Sequence, residues 1–184
     1  MSMDYSVLIL WAPLICALAI AAVIDVRQRR IPNWLTFGLM LAGLGRAAFM
    51  GSHNFSHALL GILIGGAIPL ILYMISAVGG GDVKLLAAIG AWVGPGPAIL
   101  IFMVQALLGL VIVLTQAITQ RRTGILFRNS ALIVANFAGA SELGLQNAVD
   151  TGKSCRAVKR PLPFAVPVFF ATLIVLSMGK LLGR

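Results

Sequence analysis

Residues 79–97, GGGDVKLLAAIGAWVGPGP, decide how the whole chain is threaded. Three glycines and Asp82 precede an apolar run, Val83 to Val93, which the breaker Gly94-Pro95-Gly96-Pro97 closes. Proline lacks an amide donor and its ring clashes with the preceding turn, so a helix must end there. The run has 11 residues, whereas about 17 or more are usual for a helix that crosses a bilayer. Whether it crosses settles on which side everything downstream lies.

Outward from this stretch, the chain alternates apolar runs with short polar links. Tyr5 to Ile24 is 20 residues long, enough to span. It has neither the basic start nor the small-residue cleavage site of a signal peptide, so it is expected to be retained. Trp34 to Met50 is the next run, with Arg46 near its far end, where a long side chain can snorkel towards water. Ala58 to Val78 leads into the opening stretch, Ala98 to Thr119 follows it, and Phe164 to Leu182 is last. Between these last two lies a polar, basic stretch, Gln120 to Pro163. Its apolar patch ALIVANFAGA, 131–140, is too short to cross and is expected at the interface or against the bundle.

Composition identifies the solvent. Of 184 residues, 60% are hydrophobic and 10% charged, and the mean hydropathy is +1.01; a soluble domain carries roughly a quarter charged residues. The expectation is an all-α membrane protein, residues 1–184 forming a single unit. The net charge of +9 falls between apolar runs, as topology signals do, so nucleic acid is not implied. Cys16 sits in an apolar run, Cys155 in a basic loop, and without a CxxC pair neither a zinc site nor a disulfide framework is indicated.

Charge also arbitrates the short run. If Val83 to Val93 crosses, residues 25–33, 79–84 and 120–163 share one face. That face then holds Arg27, Arg29, Arg30, Lys84, Arg121, Arg122, Arg128, Lys153, Arg156, Lys159 and Arg160, 11 of the 14 basic residues. If it does not, the seven from 121 to 160 move outside. The positive-inside bias favours crossing. Six transmembrane helices are therefore expected, both termini outside, with a short fourth helix extended by its flanking glycines.

This threading brings together two of the five acidic residues. Asp25 ends the first helix at the cytoplasmic face and Asp82 begins the fourth at the same face. Peptide bonds resist neutral water. One ionised carboxylate can take the proton of a water molecule while a protonated partner polarises the carbonyl and then protonates the leaving nitrogen. Held close, such a pair shares a proton and titrates as a unit. Each aspartate also has a plainer explanation: Asp82 as the N-cap of the fourth helix, Asp25 paired with Arg27, Arg29 or Arg30.

The surrounding residues point further. GGGDVKLL, with Gly79-x-Gly81-Asp82 and Lys84, resembles the GxGD signature of intramembrane aspartyl proteases. DVRQRRIPNWLT, 25–36, resembles the segment around the first catalytic aspartate of type IV prepilin peptidases: aspartate, basic tract, then Ile-Pro-Asn opening the next helix. PLPFAVP, 161–167, is loosely similar to the family's Pro-Phe-Gly-Pro opening of the last helix, with Ala165 where glycine is usual. The resemblance implies a membrane protease that removes the basic leader of prepilins or pseudopilins at the cytoplasmic face of the bacterial inner membrane, with Asp25 and Asp82 catalytic and no cofactor.

The neighbours then acquire expected roles. Gly79 and Gly81 lack a Cβ, which permits unusual φ and lets a substrate strand approach beside Asp82; a tight turn between helices 3 and 4 is the plainer explanation, and the two are compatible. Lys84 either stabilises the negative charge of the aspartates or anchors at head groups, and the anchor is preferred. Pro32 and Asn33 are expected as a stop and N-cap for the second helix, fixing where Asp25 points. Many family members carry an N-terminal region with paired CxxC motifs, linked to methylation of the trimmed pilin. This chain has no such pairs and resembles the short, peptidase-only members that serve tight-adherence (Flp-type) pili. Methyl transfer is not expected.

Other features carry less. His53 and His57, four apart, suit one helical face as metal ligands but lie at the face opposite the aspartates, so no metal is expected. Gly61, Gly65 and Gly66 form a small-residue stripe, read as close packing within the bundle rather than dimerisation. Membrane lipid is the expected surroundings, and the basic 120–163 loop is read as topology-setting. Two rival functions remain: a proton- or cation-coupled transporter using both aspartates as a relay, and a non-catalytic pilus assembly subunit.

Overall fold

A computed structural model of the chain describes residues 5–74, 78–119 and 164–181. The expectations for the basic loop, including the 131–140 patch and Cys155, lie outside them. The described residues form six helices: α1 (Tyr5–Gln28), α2 (Asn33–Phe49), α3 (Ser52–Met74), α4 (Gly80–Val93), α5 (Pro95–Thr119) and α6 (Ala165–Leu181). The glycines do extend the fourth helix, to 14 residues.

The joints follow from residues that stop helices. Arg29 takes φ +53°, the left-handed conformation that commonly ends a helix, and its N–H donates to the Asp25 carbonyl at 2.8 Å. Pro32, extended at φ −69° and ψ 136°, caps α2. Gly51 at φ +110° turns α2 into α3, and Gly94 at φ +81° separates α4 from α5, values that suit residues without a Cβ. Pro95 then opens α5, where the missing N–H costs nothing.

At the centre lies α4, packed against α2, α3 and α5. Every residue from Leu85 to Trp92 is buried, which is how a helix apolar on all sides behaves. It can sit so deep because α3 meets it through glycine. A Cβ on Gly61 would overlap the Gly90 carbonyl, and one on Gly65 would lie 2.8 Å from the Leu86 carbonyl oxygen. The small-residue stripe therefore serves packing within the chain, as helix contacts in lipid require.

The remaining helices bury single stripes. Leu14, Leu18, Ala21 and Asp25 are buried along α1 while Ile20, Val23 and Val26 are exposed, a helical spacing that carries the carboxylate of Asp25 onto the inward face. That face meets α6, which buries Ala165, Val168, Ala171, Thr172 and Val175. On α2, Gly43 leaves room for the Trp92 ring, whose Nε1 donates to the Leu39 carbonyl at 2.8 Å.

Arg46 departs from the snorkelling expectation. Its guanidinium turns inward, donating from Nη2 to the Trp92 carbonyl at 2.8 Å, and lies 5.2 Å from the ring centres of both Trp11 and Trp92. The C-terminal end of α4 offers a carbonyl without a helical partner and the Trp92 ring, and α1 adds the Trp11 ring, surroundings that suit a cation.

Three helices are long and apolar enough to cross a membrane, over Trp11–Gln28, Ser52–Met74 and Pro95–Thr115. The others are shorter: α2 and α6 have 17 residues and α4 has 14. At about 1.5 Å per residue α4 reaches only about 21 Å, against roughly 30 Å of bilayer hydrocarbon.

Candidate active site

The two aspartates reach the same end of the bundle by different routes. Asp25 lies near the C-terminal end of α1, on its buried stripe, and is 6% exposed. Its Oδ2 accepts the backbone N–H of Ala165 at 2.9 Å. Ala165 is the first residue of α6, where amides have no partner within the helix. The carboxylate therefore caps α6 across the bundle. Arg27, Arg29 and Arg30 are all exposed, so the explanation of Asp25 as the partner of one of them does not describe this arrangement.

Asp82 lies in the first turn of α4. Its side chain folds back, Oδ2 accepting the Gly79 N–H at 3.1 Å. Gly79 is itself the N-cap, at φ −80° and ψ 150°. The capping role foreseen for Asp82 is thus displaced by three residues: it occupies the position that reaches back to the cap rather than the cap. This bond occupies only one of the two carboxylate oxygens of Asp82. The charge of Asp25 acts on this carboxyl group, after burial and the Gly79 bond the smallest of the influences on it.

The glycines before Asp82 act through space rather than through backbone freedom. Gly79 has ordinary extended angles, and among the described glycines positive φ occurs at Gly51 and Gly94 alone, which corrects the expectation of unusual φ. A Cβ on Gly81 would stand 3.3 Å from the Ile31 Cβ, so the start of α4 presses on the link between α1 and α2. That contact keeps Asp82 beside the end of α1. Gly79 is exposed.

Lys84 has a partner that the sequence did not announce. Its Nζ donates to Asn33 Oδ1 at 2.9 Å and lies 5.5 Å from the Phe37 ring centre. Asn33 is then the first residue of α2, not its cap; Pro32 holds that position, its carbonyl accepting from Leu35 and Thr36. With the Asn33 side chain turned to Lys84, the pair ties α2 to α4 just beyond the aspartates.

At the other end of the bundle the rings of His53 and His57 stack, 6.1 Å apart. Among the described residues no group of three or more His, Cys, Asp or Glu side chains could hold a metal ion. The feature that reading the sequence missed is the Ala165 amide. The similarity at 161–167 marked the segment, but nothing local announces a bond between residues 140 apart.

Residues 12–114 match a model of the type IV leader peptidase family. The "prepilin leader peptidase/N-methyltransferase" of Escherichia coli (strain K12) is 31% identical over 115 residues, 59% of this chain and 51% of that protein. The protein of the same description from Pectobacterium carotovorum subsp. carotovorum is 36% identical over 117 residues, 57% of this chain and 41% of that protein. The chain thus spans about half the length of these curated relatives. No solved structure matches it.

Proposed function

The chain belongs to the type IV leader peptidase family, and we propose that it is a membrane aspartyl endopeptidase using Asp25 and Asp82 to cut the basic leader from type IV or Flp-like prepilins and pseudopilins. The observation that supports this reading is that two acids from different helices stand at one end of the bundle: Asp25 is buried near the end of α1, and Asp82 lies in the first turn of α4, where Gly81 packs on Ile31 of the link after α1.

In this reading one carboxylate removes a proton from a water molecule as its oxygen attacks the scissile carbonyl carbon. The protonated partner hydrogen-bonds the carbonyl oxygen, and a proton passes to the leaving nitrogen as the C–N bond breaks. Like charges held together cannot both ionise cheaply, which keeps one proton shared between the pair. Exposed Gly79 leaves room for an extended peptide beside Asp82. The proposal is confined to cleavage. The named relatives combine it with N-methyl transfer, but this sequence has two cysteines and no CxxC pair.

The proposal includes the threading: six crossings of the bacterial cytoplasmic membrane, both termini outside and the aspartates at the cytoplasmic face. Burial of Leu85 to Trp92 by neighbouring helices supports a crossing by α4 despite its length, since a helix shielded by protein need not match the bilayer.

The test co-expresses Asp25→Asn and Asp82→Asn variants with a pilin substrate and follows substrate size on a gel. Each variant should accumulate in the membrane and leave the leader uncut. Normal processing by either one would remove the dyad. A cysteine reporter at Gly124 or Gly152 should react from the cytoplasm and one at His53 from outside; an external signal at Gly124 would break the threading.

A further inference from the structure

The end of the bundle away from the aspartates holds a pocket of about 190 Å³. It is lined by Arg46, Met50, Asn54, His57, Trp92 and Gly94, among others. Trp92 is ten positions beyond Asp82 on α4, about 15 Å along the axis, so this pocket is separate from the carboxyl pair.

Its chemistry is cationic. Arg46 presents the fixed charge, and the carboxylates among the described residues, Asp25 and Asp82, stand at the opposite end. One arm of the guanidinium is committed to the Trp92 carbonyl. Nε is buried without a partner and out of reach of a ligand, which leaves Nη1, neither bonded nor buried, as the donor open to the pocket. A charged N–H donor of this kind suits a phosphate oxygen. Asn54 and His57 add polar side chains on the wall formed by α3.

The rim indicates the carrier. Met50 lines the pocket and is 48% exposed, and Phe49 beside it is 95% exposed. A phosphate attached to acyl chains meets this apolar rim better than a free ion does.

We propose that the pocket binds a phosphate group, held by Arg46 with Asn54 and His57, and supplied by a phospholipid head group. The site does not depend on the peptidase reading, and its loss leaves the carboxyl pair intact.

The experiment uses the full chain in a sugar-headed detergent, with native mass spectrometry as readout. Phosphatidylglycerol, a diacylglycerol with the same acyl chains, and inorganic phosphate are added separately. The wild type should retain phosphatidylglycerol about fivefold better than diacylglycerol, the factor one arginine gives beside lipid phosphate. Arg46→Gln should abolish that preference. Because Arg46 also braces α4, a second variant, Asn54→Ala with His57→Ala, leaves its bond to Trp92 in place. That variant should lose about twofold in retention at an unchanged thermal midpoint. Displacement of the lipid by millimolar inorganic phosphate supports the phosphate site and assigns it to the free ion. Retention without displacement supports the lipid source. Equal retention of the two lipids by the wild type overturns the proposal, as does an unchanged preference in both variants.

Discussion

The two ends of α4 are built from opposite materials. At its start, glycines and carboxyl groups meet: Gly81 lies against Ile31, and Asp82 and Asp25 each receive a backbone amide, from Gly79 and Ala165. At its finish, bulky groups interlock: the Trp92 indole reaches the Leu39 carbonyl, and Arg46 lies between two tryptophan rings. Large rings contribute buried area and fix orientation, whereas small residues leave room. The difference teaches that α4 is braced at the end where no acid chemistry is proposed, which frees the other end to carry carboxyl groups. Sites held by a rigid element can keep their reacting groups accessible.

Four measurements can break or sharpen that contrast. The largest effect belongs to the carboxyl end. Asp25→Asn and Asp82→Asn should each lower cleavage about 10³-fold or more, and the double variant should lose no more than either single one, because the two act as a unit. Wild-type cleavage in liposomes should fall at both acid and alkaline pH, since one group must be ionised and the other protonated, and a chelator should leave it unchanged. Cleavage by Asp25→Asn that depends on added zinc would dissolve the contrast.

Next is the middle of the helix. Gly61→Leu drives a side chain into the Gly90 carbonyl and should cost about 3 kcal/mol, seen as loss of monodisperse protein in detergent. Gly45→Leu, at a position with nothing within 4 Å, should be neutral. Equal behaviour of the two would mean that α3 and α4 do not meet through glycine.

The braced end should respond in stability rather than in rate. Trp92→Phe removes the buried hydrogen bond to Leu39 and should cost about 2 kcal/mol, read as a lowered thermal midpoint, while cleavage per folded molecule stays near normal. A large loss of rate at unchanged stability would show that the two ends are not divided in this way.

The smallest effect concerns Lys84. Lys84→Met removes its bond to Asn33 and should lower kcat/KM about threefold, matching one modest hydrogen bond. Asn33→Ala should do the same, and the double variant should not add, as expected of partners. A hundredfold loss for Lys84→Met alone would instead place its charge among the reacting groups.

Much of this was legible because stop signals are local. Gly94-Pro95, Pro32 and the glycines before Asp82 punctuate the helices, and each acts through its own backbone. The shortness of α4 was visible too, since an apolar run between breakers has a length that can be counted. What the sequence could not disclose is where side chains find partners across the bundle. Arg46 near a helix end suggests snorkelling, but Trp11 and Trp92, distant in sequence, supply a better environment inside. Asn33 has the composition of a cap, yet Lys84 claims its side chain. The sequence places Asp25 at the end of the first helix, but the amide it meets belongs to α6, far along the chain.

That last bond has a consequence for the order of biosynthesis. Asp25 and Ala165 are 140 positions apart, so the ribosome delivers both aspartates long before the amide whose hydrogen bond the first of them accepts. Until α6 is inserted, the nascent chain holds Asp82 and its glycines in sequence but lacks the wall against which Asp25 is seated. The seat of Asp25 is therefore completed only once α6 has been made and inserted.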